Sequence, residues 1–217
     1  MSFRNRTVHL LPREALVRTG PVDHADWNYR PVLGRVQRLR FGLVKSLLGS
    51  TRYPRLLEIG YGSGVFMPEL RQHCQELFGL DPHASNREVE AVLARHGIAA
   101  ELHSGSAEQL PFPTGSLDCA VSVSAIEYVP DIERACAELT RVLRPGGHLI
   151  VVTPGRSPLW DLALKVTTGE SASQYADRRE RLLPALRRHF RPLVEKSVPT
   201  FGGSLLRLYT GIKLERA

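Results

Sequence analysis

Long apolar runs, cysteine and internal repetition are all scarce in this chain of 217 residues. No stretch of eighteen consecutive apolar residues occurs, so hydropathy predicts no membrane-spanning helix. The start, Met1-Ser2-Phe3-Arg4-Asn5-Arg6, lacks the apolar segment of a secretory signal, and a cytoplasmic location is expected. Cys74, Cys119 and Cys136 are odd in number and widely spaced, which speaks against a disulfide framework or a zinc site; no metal is expected. The absence of a repeat or low-complexity tract excludes solenoid architectures.

Charge is plentiful and uneven. Residues 1–52 hold ten Lys/Arg against three Asp/Glu, residues 53–154 hold seven against thirteen, and residues 155–217 hold twelve against six. An acidic middle suits a cationic ligand. Basic flanks suit an anionic substrate, an acidic partner or a membrane surface, or they solvate helix faces. The length fits one domain with room for a small extra element.

The organising stretch runs from Leu56 to Phe66. A short apolar run reads as a strand buried in a parallel sheet, and the glycines after it let the backbone turn sharply and approach a ligand. A dinucleotide fingerprint would put glycines at 60, 62 and 65, but position 65 is Val65, which weakens a nicotinamide reading. The pattern is instead Glu58-x-Gly60-x-Gly62-x-Gly64, which resembles the first motif of the class I S-adenosylmethionine-dependent methyltransferases. That cofactor carries an ammonium, a carboxylate and a sulfonium but no phosphate, so an acid at the strand end beside bare backbone amides is apt. The resemblance implies that Glu58, Gly60, Tyr61, Gly62 and Gly64 hold it.

Three later motifs fall in the family's order. Asp81, followed by Pro82, ends a second strand twenty-one residues beyond Gly60, where an acid can accept both ribose hydroxyls. Residues 105–112 resemble the adenine-contacting loop and bring in Ser106, Ala107 and Glu108; the family usually has an aspartate where this chain has Ser106. The run Leu-Arg-Pro-Gly-Gly at 143–147, followed by an apolar strand, resembles the type 11-like branch, which methylates mostly small molecules. The match covers residues 56–154. It implies a Rossmann-like, doubly wound α/β sheet of seven strands, mostly parallel with an antiparallel last strand.

A fourth strand over 117–124 delivers residues 124–129 to the mouth of the crevice, a segment that in the family lies between the cofactor's methyl group and the substrate; the resemblance implies that Ser124 and Ala125 touch the cofactor. Glu127 and Tyr128 are the candidate catalytic residues, to position or deprotonate an acceptor; alternatively Glu127 solvates a loop and Tyr128 packs. Helices are expected over 65–73, 85–96, 131–143 and 175–190, and closing strands over 193–198 and 205–214.

Residues 1–52 read as an arm followed by an amphipathic helix, with Val32, Val36, Leu39, Leu43 and Leu47 at helical spacing. That helix either packs on the sheet or, being basic, lies on anionic lipid. The arm and helix are expected to form a lid over the domain at 53–217, which carries a substrate-cover insertion at about 155–190. Trp27, Tyr29, Trp160 and Tyr175 are candidate substrate-lining residues. The expected activity is methyl transfer to a small, anionic or lipid-like acceptor. Base methylation is disfavoured, because Ser124-Ala125-Ile126-Glu127 stands where such enzymes carry Asn/Asp-Pro-Pro-aromatic. An RNA-directed enzyme, a non-catalytic cofactor-binding subunit and a nicotinamide-dependent oxidoreductase remain as alternatives.

Overall fold

The computed structural model describes residues 8–20, 23–31, 33–155, 173–200, 203 and 206–217; over 173–180 it describes the helix and not its side chains. Strand β1 (Tyr53–Ile59) forms where adjacent residues must be buried on opposite sides: Leu56 joins one core and Leu57 the other. Around it lie β2 (Cys74–Asp81), β3 (Glu101–Ser104), β4 (Leu117–Val123), β5 (Leu143–Pro154), β6 (Arg191–Val198) and β7 (Tyr209–Glu215). The seven-stranded order is β3-β2-β1-β4-β5-β7-β6. β1 to β5 pair in parallel, and β7 is antiparallel to both neighbours, as expected. The order reverses between β1 and β4, and the carboxyl ends of those strands open onto the crevice where open α/β sheets bind ligands.

Helices α1 (Leu33–Leu48), α2 (Met67–Leu70) and α3 (Asn86–Arg95) cover one face, where Phe41, Met67 and Val89 meet Val121 and Ile150. Helices α4 (Ile132–Val142) and α5 (Ser173–His189) cover the other, where Cys136, Leu139 and Leu186 meet Ala120 and Val151. The helix expected over 65–73 is a single α turn followed by a 3-10 turn, Arg71–His73. The strand expected from 148 extends back to Leu143, a register shift opposite Leu117 and Cys119 absorbing the Pro-Gly-Gly turn.

α1 packs on β5 and β7, with Leu43 and Leu47 against Gly211 of β7, and it buries Phe41, Val44 and Leu48 as well. Leu43 and Leu47 belong to the expected face and are buried, while Leu39 lies at the margin of the buried arc and is exposed. The apolar side of α1 is thus spent on the protein interior and is not free for lipid. Among the described residues no helix is long and apolar enough to cross a membrane.

The arm is tied to this body. Leu11 is buried and its N–H donates to the Val65 carbonyl at 3.1 Å. Glu69, with a fully buried side chain, accepts from the His9 N–H at 2.8 Å and pairs with Lys45 Nζ at 2.6 Å, His9 Nδ1 at 3.0 Å and His73 Nε2 at 3.4 Å. Burial opposes the Glu69 charge, but the bonds from His73, Lys45 and His9 outweigh it and hold the carboxyl at about 2.

Candidate functional site

A cavity of about 870 Å³ opens at the carboxyl ends of β1, β2 and β4. Its floor is the glycine loop. Gly60 adopts φ +76°, and a Cβ there would sit 2.2 Å from Ala125 Cβ, so only glycine lets the β1 and β4 ends meet this closely. Gly62, at φ +51°, donates its N–H to Asp81 Oδ2 at 2.9 Å, which fixes the loop to the end of β2. Gly64 does not line the cavity. Its Cβ would lie 3.0 Å from Val89, so it is the glycine that lets α3 pack closely.

His83, which the sequence reading missed, completes this floor. Its Nδ1 accepts from the Ser85 N–H at 3.1 Å, so the ring proton is on Nε2, which donates to the Gly62 carbonyl at 3.0 Å. The Tyr61 ring meets it edge-on, centroids 4.9 Å apart. Burial raises the Tyr61 phenol well above its ordinary value.

Glu58 sits in the cavity wall at 3% exposure. Its carboxyl is pushed up to about 8, first by burial and then by the negative charge of Asp81, with Arg40 acting in opposition. Glu58 Oε2, Tyr61 Oη, Ser63 Oγ, Ser124 Oγ and Arg40 Nε all belong to cavity-lining residues and are buried with no hydrogen-bond partner among the described residues. Each such atom costs about 1–3 kcal/mol unless a ligand or water satisfies it. Ser124 is also the one non-glycine residue at positive φ (53°) among those described, at the exit of β4, and its N–H donates to the Val152 carbonyl.

The walls come from three further segments. Pro82, Ser106, Ala107 and Glu108 line the cavity, and so do Ala125 and Tyr128. Ser106 Oγ donates to Glu108 Oε2 and accepts the Glu108 N–H, while Glu108 Oε1 accepts from the Asp131 N–H at 2.7 Å. The negative charge missing at Ser106 therefore stands two residues later, braced by the start of α4. The roof is the arm and α1: Asp23 accepts from Thr19 Oγ1 and the Ala25 N–H, Trp27 stacks on His24 at 4.1 Å, and Gln37, Arg40 and Phe41 face the same space.

A family model described as a methyltransferase domain matches residues 57–151. The biotin biosynthesis bifunctional protein BioHC of Cellvibrio japonicus is 31% identical over 134 residues, 62% of this chain and 26% of that one. Phosphatidylethanolamine N-methyltransferase of Cereibacter sphaeroides is 31% identical over 106 residues, 48% of this chain and 52% of that one. The chain thus spans a quarter to about half the length of these relatives. The solved structure of geranyl diphosphate C-methyltransferase from Streptomyces coelicolor superposes with a TM-score of 0.66 at 15% identity, covering 97% of this chain and 90% of that one. The fold is that of a class I S-adenosylmethionine-dependent methyltransferase.

Within this methyltransferase fold two further expected site residues lie away from the cavity wall. Glu127 is not in the cavity wall; at 1% exposure its Oε1 accepts from Thr153 Oγ1 at 3.3 Å, because the 3-10 turn Ile126–Tyr128 directs Tyr128 out and Glu127 in. Tyr29 is not in the wall either. Its hydroxyl donates to the Leu11 carbonyl, so it fastens the arm. Trp160 lies outside the described residues, and of Tyr175 only its place in α5 is described. The missed residues Asp23, His24, Gln37 and Arg40 precede β1 by 13 residues or more, with no local pattern to announce them.

Proposed function

We propose that this protein is an S-adenosylmethionine-dependent methyltransferase acting on a small-molecule acceptor. The observation that carries the reading is the set of orphaned polar atoms in one cavity, carboxyl, hydroxyl and guanidinium together, beside a strand-end acid. They fit this cofactor: Glu58 would hold its ammonium, Asp81, with lone pairs left after accepting from Gly62 and His83, would take the ribose hydroxyls, and Ala107 would line the adenine site. When bound, the cofactor supplies a methyl group already activated by its sulfonium.

The chain's own residues position and exclude. Asp81 and His83 hold the loop rigid from two sides, and the roof of Trp27 and Phe41 keeps water from the reacting atoms. Tyr128, 44% exposed, stands at the mouth where the acceptor enters. Glu127 acts through Thr153 to brace the 124–128 turn and is not assigned proton transfer. Val129, Pro130, Pro154 and Tyr209 give the cavity an apolar side, which suits a lipid-like acceptor of the kind named for the phosphatidylethanolamine and geranyl diphosphate enzymes. Three free buried thiols fit a reducing, cytoplasmic setting.

Titration calorimetry with S-adenosylhomocysteine tests the reading. Binding at micromolar concentration is expected, and no association at millimolar concentration would overturn it. A screen of lipid-like hydroxyl and amine acceptors with labelled cofactor then identifies the product.

A further inference from the structure

His24 lines the cavity from its roof, at the entry to the 3-10 turn Ala25–Tyr29. That turn is pinned at several points. Asp23 Oδ1 accepts from the Ala25 N–H at 3.1 Å, the buried Asn28 donates from Nδ2 to the Ala25 carbonyl at 2.9 Å, and α1 comes so near that a Cβ at Gly34 would sit 2.4 Å from the Asn28 carbonyl oxygen. It also reaches the floor, since the Asp23 carboxylate lies 3.5 Å from where a Cβ at Gly62 would stand. The imidazole lies flat on Trp27, ring centroids 4.1 Å apart and planes 11° from parallel, which sets its orientation while leaving both nitrogens on the ring edge. The other proton acceptors of the wall have assignments of their own. Asp23 is engaged by Thr19 and Ala25, Asp81 by Gly62 and His83, and Glu108 by Ser106 and Asp131. Both ring nitrogens of His83 are bonded to backbone, and Glu58 is assigned to the cofactor's ammonium.

We propose that His24 is the general base of the transfer and that the acceptor presents to it an acidic hydroxyl, a phenol or an enol, methylated on oxygen. The proposal rests on the cofactor reading above and names the acceptor class within it. An imidazole ordinarily titrates close to neutral pH, which suits it to a hydroxyl of that acidity better than to an alkyl alcohol. Val129, Pro130, Pro154 and Tyr209 make the acceptor side apolar, so a neutral hydroxyl enters at little cost, whereas an ammonium would have to shed its water. As the imidazole takes the hydroxyl proton, the acceptor oxygen forms its bond to the methyl carbon, and the electron pair of the broken carbon–sulfur bond stays on sulfur. The imidazolium returns its proton to solvent once the ether has left. Because the pinned turn holds the ring before the acceptor arrives, little ordering remains to be done at the moment of transfer.

The test follows the proton with a coloured phenol. 4-Nitrophenol, of which only the ionised form is yellow, is titrated into the full chain saturated with S-adenosylhomocysteine, at a pH where the free phenol is mostly neutral. The same titration is run on His24→Gln and on His24→Phe, which keeps the ring stack on Trp27 but has no base. In the unmodified chain the ionised fraction of the bound probe should rise about tenfold, one pK unit. In both variants it should match the free phenol, while calorimetry gives an S-adenosylhomocysteine affinity within about twofold of the unmodified chain. With labelled cofactor, phenols should yield ethers, and His24→Phe should lower kcat about 100- to 10,000-fold. Equal ionisation in the variants, no binding of the probe at millimolar concentration, or methylation confined to amines or carbon overturns the proposal. A variant that loses S-adenosylhomocysteine together with the ionisation makes His24 structural and overturns it as well. All of these outcomes leave the cofactor reading standing; failure of the unmodified chain to bind S-adenosylhomocysteine overturns both.

Discussion

A carboxyl group buried at the end of a central strand strains the protein that carries it. Glu58 ionises near 8 in the folded chain against an ordinary 4.5, so the unfolded chain releases its proton first. Between those values, raising the pH favours unfolding by about 1.4 kcal/mol per unit, and the cost levels off above 8. Glu58→Gln should therefore raise the melting temperature of the ligand-free protein at pH 9 and scarcely change it at pH 5, by differential scanning calorimetry. The same substitution should weaken S-adenosylhomocysteine, and it should flatten a wild-type affinity that climbs from pH 6 to 8.5 as the carboxylate forms. Asp81 behaves differently, because its oxygens already accept from Gly62 and His83. Asp81→Asn keeps an acceptor for Gly62 and should cost about tenfold in affinity, whereas Asp81→Ala also releases the loop and should cost more. At this scale the glycine loop and the strand-end acid could be read from the chain, because their spacing along it is the geometry. Glu127 could not: polarity at a crevice mouth says nothing about which way a side chain turns.

Elements meet here through small residues and braced loops. Gly60 and Gly97 both adopt positive φ, but a Cβ at Gly97 meets nothing within 4 Å, while one at Gly60 collides with Ala125. Gly97→Ala should cost about 1 kcal/mol of backbone strain, and Gly60→Ala at least about 2 kcal/mol more together with cofactor binding, measured by urea denaturation and calorimetry. The 105–112 loop gains its rigidity from α4: Glu138 accepts the Leu110 N–H, and Arg141 donates to the Leu110 and Phe112 carbonyls. α4 was legible because Ile132, Ala135, Cys136 and Leu139 share one face and all are buried. α1 was legible as a helix, and Leu43 and Leu47 are buried as their spacing suggests, but the limits of its buried arc were not legible, since Leu39 and Phe41 are both apolar and only the packing decides which is covered.

Over the whole molecule, the roof of the cavity is joined to its floor by contacts distant in sequence, which is why neither composition nor motif disclosed it. Glu69 is the anchor of that joint. Its carboxyl, held at about 2 against an ordinary 4.5, contributes stability that is complete above 4.5 and lost as the pH falls toward 2. Glu69→Gln should destabilise the protein by about 3 kcal/mol at pH 7, the scale of breaking a buried ion pair, with the deficit shrinking below pH 4 in acid titrations followed by circular dichroism. The sheet order has a further consequence. β7 is wedged between β5 and β6, both of which precede it in the chain. While the ribosome is still translating Tyr209–Glu215, the edge of β5 from His148 to Pro154 stands bare and β6 lacks the strand it pairs with. That interval is when a nascent chain of this kind is most open to mispairing with its neighbours on a polysome, and when a chaperone at the tunnel exit has most to protect.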